Sequence, residues 1–143
     1  DHGALLDPPT ADVTARVITA LARVGRAQDR TAMQRAITYL RATQEPSGAW
    51  FGRWGTNYIY GTWSVLVAFA AAGIPADDPA VARAVRWLKS CQQDDGGWPL
   101  LPHATTRGWY PEHTWTPGAA LEARPMVTIE AMSTLRAHGR PIG

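Results

Sequence analysis

Residues 35–50, RAITYLRATQEPSGAW, return 48 positions later as residues 83–98, RAVRWLKSCQQDDGGW, without a gap. The copies share Arg35/Arg83, Ala36/Ala84, Leu40/Leu88, Gln44/Gln92, Gly48/Gly96 and Trp50/Trp98. Ile37/Val85, Tyr39/Trp87 and Arg41/Lys89 are exchanges within a residue type. The register continues upstream through Ala20/Ala68, Ala22/Ala70, Gly25/Gly73 and Asp29/Asp77. A repeat of this length is one supersecondary unit stacked on its neighbour, because a single unit cannot bury its own apolar face.

The unit reads as a helix hairpin. Pro8-Pro9 is an extended lead-in, Thr10 an N-cap candidate, and Asp12 lies in the first turn, where the helix dipole favours an anion. Val13, Val17, Leu21 and Val24 recur at helical spacing, and Gly25 stops the helix. A second helix, from about 31 to 43, places Met33, Ile37 and Leu40 on one face before the Pro-Ser-Gly break at 46–48. The second copy repeats the order: a helix near 58–72, a stop at Gly73, Asp78-Pro79 as N-cap and first helical residue, and an outer helix to about Cys91. Asp94-Asp95-Gly96-Gly97 is the matching turn. No segment alternates with the period of a strand, so the expected class is all-α. The helices near 13–24 and 58–72 carry few charges and are expected inside. Those near 31–43 and 79–91 alternate Arg or Lys with apolar positions and are expected outside.

Composition excludes several function classes. The chain of 143 residues is 45% apolar, which suits a packed core rather than disorder. A net charge of +2 with scattered Arg gives no basic stripe and no nucleic-acid partner. Cys91 is the single cysteine, which excludes an internal disulfide. Residues 58–74 carry no charge, at the lower edge of a membrane-spanning length. Their place inside the repeat favours a buried helix instead. The N-terminus shows no basic n-region, so neither a signal peptide nor a transmembrane helix is expected. His103, His113 and His138 lack ligand spacing, so no metal site is expected.

QEPSGAW (44–50) and QQDDGGW (92–98) both read Gln-x-x-x-Gly-x-Trp, which resembles the QW repeat of the triterpene cyclases. GAWFGRWGTNYIYGTWS (48–64) and DHGALLDPPTADVTARV (1–17) are similar to bacterial squalene–hopene cyclases. The resemblance implies part of an α/α toroid, the fold shared by terpenoid cyclases and prenyltransferase β subunits, with inner helices lining an apolar cavity. It covers residues 1–98 as a partial C-terminal catalytic domain. Residues 99–143 diverge, with one expected helix at 126–138. A fragmentary or frame-altered gene product is the expected origin, since a half unit at the end lacks the polar cap that terminal repeats need.

The activity implied is an isomerase reaction of hopanoid biosynthesis: protonation of a squalene-like polyene, then guided ring closures. It requires a strong acid, a dry pocket and aromatic faces for passing cations, and no cofactor. The family's acid is an Asp-x-Asp-Asp motif, and this sequence has none; Asp77-Asp78 and Asp94-Asp95 belong to a cap and a turn. No catalytic residue is therefore assigned within the chain.

The resemblance points to Trp54 and Tyr60 as aromatic residues near the start of the reaction. Arg16 stands where some members have a His that supports the acid, with Asp7 and Asp12 in the same network. His2 occupies a position held by Phe in some members. Each also has a plain alternative: core packing for the aromatics, helix-start capping for the aspartates, a surface ion pair for Arg16. Gln44, Gly48, Trp50, Gln92, Gly96 and Trp98 read as structural, an amide and an indole closing a helix end. Three functions stay open at this point. They are part of a cyclase peripheral to the cytoplasmic side of a membrane, a non-catalytic helical module binding an apolar ligand or partner, and half of a split cyclase completed by the missing remainder.

Overall fold

The computed structural model describes residues 8–53, 58–92, 94, 96 and 98. Helix α1 spans Ala11–Val24, α2 Arg30–Ala42, α3 Tyr58–Ala71 and α4 Pro79–Ser90, with a short 3-10 turn over Ala27–Asp29. Among the described residues there is no strand. Helices α1 and α3 pack side by side, while α2 backs α1 and α4 backs α3. That is the two-layer order expected from the charge distribution. The 99–143 segment, with its expected helix at 126–138, lies outside the described residues.

The local signals act as their chemistry dictates. Asp78 caps α4 by accepting a hydrogen bond from the Ala80 N–H at 2.9 Å, and Pro79 occupies the first turn. Thr10 holds the extended backbone of an N-cap, yet its hydroxyl makes no capping bond. Gly25 ends α1 in the left-handed conformation, its N–H bonded to Leu21 O. Among the described residues no helix is long and apolar enough to cross a membrane.

One core is shared by both hairpins. Ile18 of α1, Leu40 of α2, Ile59, Val65, Leu66 and Phe69 of α3, and Val81 and Leu88 of α4 are fully buried together with Trp50 and Trp98. Trp50 meets Phe69 edge to face at 5.9 Å, so the first turn packs onto the second hairpin.

The valine stripe of α1 behaves differently. Val13, Val17 and Val24 are 46%, 50% and 58% exposed, while the helix buries Ala11, Asp12, Ala15 and Ile18. Small Ala11 and Ala15 let α1 approach its neighbours closely, and the larger valines are left on the side away from them. Helix α3 is enclosed more completely, but Tyr60, Trp63 and Val67 form a half-buried stripe at helical spacing.

Candidate functional site

Three of the six candidate residues converge. Asp12 and Arg16 lie one turn apart on α1, which puts them on one helix face. Asp12 is completely buried, whereas Arg16 is exposed. The Arg16 guanidinium carbon sits 5.4 Å from the centre of the Tyr60 ring on α3, within cation–π range. Tyr60 in turn meets Trp63 edge to face at 5.6 Å. His2, Asp7 and Trp54 lie outside the described residues.

Electrostatics tie the cluster together. Burial pushes the Tyr60 phenol above its ordinary value; the Arg16 charge and its side-chain hydrogen bond pull it back, and Asp12 pushes it up. Tyr39 of α2 is raised as well, first by burial and then by Asp12. Both phenols are therefore protonated at neutral pH. Tyr39 donates its hydroxyl to Pro9 O at 2.7 Å, tying α2 to the lead-in of α1. Asp12 thus lies among two neutral phenols and a cation, with its fixed place in the first turn set by the helix itself.

Trp63 was not among the sequence candidates. Its signal was available, since it falls three residues after Tyr60 on one helix and so shares the same face. Together Tyr60, Trp63 and Val67 give α3 an aromatic and apolar strip with Arg16 at one end. Such a surface can shed water and offer π-faces to a cation, while the neutral phenol can exchange hydrogen bonds with an acid placed beside it. Among the described residues no group of three His, Cys, Asp or Glu side chains could hold a metal ion.

The two Gln-Gly-Trp turns have the same hydrogen-bond pattern. Gln44 Nε2 donates to Gly48 O at 2.9 Å, and Gln92 Nε2 donates to Gly96 O at 3.0 Å. Trp50 Nε1 donates to Leu40 O at 2.6 Å, and Trp98 Nε1 to Leu88 O at 2.8 Å. Each indole thereby adds a donor to a carbonyl in the last turn of its outer helix, where Leu40 O also accepts from Thr43 Oγ1 and Leu88 O from Cys91 N, both at 3.2 Å. The first turn also reaches the next unit. Gln44 Nε2 donates to Ala80 O at 2.9 Å, and Arg83 donates to Gln44 Oε1. Trp50 N donates to the buried hydroxyl of Thr62 at 3.0 Å.

The family model for the squalene-hopene cyclase C-terminal domain matches residues 1–113. A squalene-hopene cyclase of Schizosaccharomyces japonicus is 68% identical over 66 residues, covering 46% of this chain and 10% of the relative. The squalene–hopene cyclase of Alicyclobacillus acidocaldarius is 46% identical over 66 residues, with the same coverage of both chains. A sporulenol synthase of Bacillus subtilis is 48% identical over 64 residues, or 44% of this chain and 10% of the relative. The matched stretch therefore spans about a tenth of the length of these relatives.

Proposed function

Because the chain belongs to the squalene-hopene cyclase C-terminal domain family, we propose that it forms a wall of a triterpene cyclase cavity and carries residues that support the catalytic acid, but not the acid itself. The substrate class is a squalene-like polyene, and the reaction is cyclisation to a hopene-type product. The observation that carries this reading is the convergence of Asp12, Arg16 and Tyr60 from two helices at one end of the Trp63–Val67 strip.

Each residue has a distinct task. Asp12, buried at the start of α1, supplies a fixed negative charge and a hydrogen-bond acceptor. Arg16 balances that charge and occupies one face of Tyr60, which sets the ring's orientation. Tyr60 stays neutral and passes hydrogen bonds between this pair and the acid contributed by an Asp-x-Asp-Asp segment. Trp63 offers its indole face to cationic intermediates, and Val67 helps keep water from them. The Gln-Gly-Trp turns hold the hairpins in register, so that α1 and α3 present these groups together. His2, Asp7 and Trp54 are further candidates for this role by family resemblance alone. The partner is the portion of a cyclase that bears the acid.

Incubation with squalene and analysis of the hydrocarbons formed tests this reading. The chain alone is expected to give no cyclised product, because its sequence carries no Asp-x-Asp-Asp motif. Supplied with a polypeptide bearing the Asp-x-Asp-Asp portion, it contributes to turnover, and Asp12→Asn reduces the yield. Hopene made by the chain unaided refutes the assignment.

A further inference from the structure

Helix α1 starts without the anchor its sequence offers. Thr10 holds the extended backbone of an N-cap, yet its hydroxyl makes no capping bond, and Thr10 Oγ1 is buried without a hydrogen-bond partner. The Thr14 N–H bonds Thr10 O at 3.0 Å, but that bond is internal to the helix and fixes nothing against a neighbour. This first turn carries Asp12, which is completely buried. A buried carboxylate needs its partners in fixed places, so the backbone beneath it has to be held.

Tyr39 supplies that hold from the outer layer. It lies near the end of α2, half-buried against the shared core, and its hydroxyl reaches 30 residues back to donate to Pro9 O at 2.7 Å. Proline rings at positions 8 and 9 stiffen the lead-in, so a restraint on the Pro9 carbonyl passes to the turn that begins two residues later. Burial raises the Tyr39 phenol above its ordinary value, and the Asp12 charge raises it further, so the two side chains are within electrostatic reach. The phenol therefore keeps the proton that this bond needs.

The second copy of the repeat shows the same arrangement with different chemistry. Forty-eight positions on, Tyr39 becomes Trp87 and Thr10 becomes Tyr58, the first residue of α3. The Trp87 and Tyr58 rings lie 6.3 Å apart between centroids. In both hairpins, then, the aromatic residue at this register of the outer helix meets the start of the inner one. Rings do so at α3, and a hydroxyl does so at α1. We propose that Tyr39 is a positioning residue for the candidate site: its hydroxyl, bonded to Pro9 O, sets the first turn of α1 and with it the place of the Asp12 carboxylate relative to Arg16 and Tyr60. It acts through Asp12 and takes no part in proton transfer. The role rests on the reading of Asp12 as a support for the catalytic acid, and it extends that support to the outer layer.

Tyr39→Phe keeps the ring and removes the hydroxyl. In the full chain, amide exchange at residues 14–18 speeds up about tenfold in this variant, while α4 keeps its protection. Catalysis is read in the squalene–hopene cyclase of Alicyclobacillus acidocaldarius carrying residues 1–113 of this chain in place of their counterpart. There Tyr39→Phe lowers kcat about fivefold with KM unchanged, and it costs nothing further once Asp12→Asn is present. Asp78→Ala, which removes the cap of α4 and so lowers stability elsewhere, leaves kcat unchanged. Full activity in Asp12→Asn overturns the reading of Asp12 and this role with it. Reduced activity in Asp12→Asn beside full activity in Tyr39→Phe overturns the role of Tyr39 alone. So do a further loss in the double variant, an equal loss in Asp78→Ala, or unchanged exchange at residues 14–18.

Discussion

At the scale of single residues, the two tryptophans of the repeat close helix ends rather than merely filling space. Trp50→Phe keeps the aromatic contact with Phe69 but leaves the buried Leu40 carbonyl without its indole donor. Because Thr43 Oγ1 still donates to that carbonyl at 3.2 Å, denaturant unfolding is expected to show a loss of about 0.5–1.5 kcal/mol. Gly61→Ala forces a Cβ against the Trp50 and Gly52 backbone, atoms that cannot rotate away. A loss of about 1–3 kcal/mol or more is expected from the same measurement, with the turn displaced.

Tyrosine titration reads the candidate site directly. The Tyr39 and Tyr60 phenols are raised above 10.0, so phenolate absorbance develops late for both, and Tyr60→Phe removes one late component. A raised folded-state value favours the protonated form. The associated stability is full below 10.0 and is lost as pH climbs through the raised values. Asp12 and Arg16 were legible only through the resemblance, although their four-residue separation on a helix puts them on one face. Their meeting with Tyr60 joins residues 44 positions or more apart through helix packing, and only the family resemblance placed all three in one site.

At the scale of helices, the signals differ in how far they reach. The Asp78-Pro79 start of α4 is local chemistry, and the structure follows it to the residue. Asp78 has a second task that no local pattern reveals: its carboxylate meets Arg41 of α2 at 2.6 Å, linking the hairpins. Asp78→Ala loses the cap and the ion pair, whereas Asp78→Asn retains a capping oxygen. The Ala variant is expected to lose about 1–2 kcal/mol and the Asn variant distinctly less, since the partly exposed Arg41 pair contributes little. Equal losses in denaturant melts would contradict this division. The valines of α1 show the limit of periodicity. Their spacing predicts one apolar face on a helix, but not what covers that face, and here the alanines pack while Val13, Val17 and Val24 remain exposed.

At the scale of the whole molecule, the 48-residue repeat made the two-layer order legible before any contact was known. It could not show that the first turn is shared between hairpins, because Trp50, Thr62, Gln44 and Ala80 meet only after α3 and α4 have docked. The same docking brings the Arg16 guanidinium of α1 over the Tyr60 ring of α3, with Trp63 against that ring.

The most direct measurement replaces the counterpart of residues 1–113 in the squalene–hopene cyclase of Alicyclobacillus acidocaldarius with the residues of this chain, Asp12 and Tyr60 among them. Squalene turnover by the chimera is then compared with that of the same chimera carrying Asp12→Asn or Tyr60→Phe. The account predicts a folded chimera that cyclises squalene, with kcat reduced tenfold or so by either substitution while the fold is retained. A folded chimera that leaves squalene unchanged, or full activity in both variants, would contradict it.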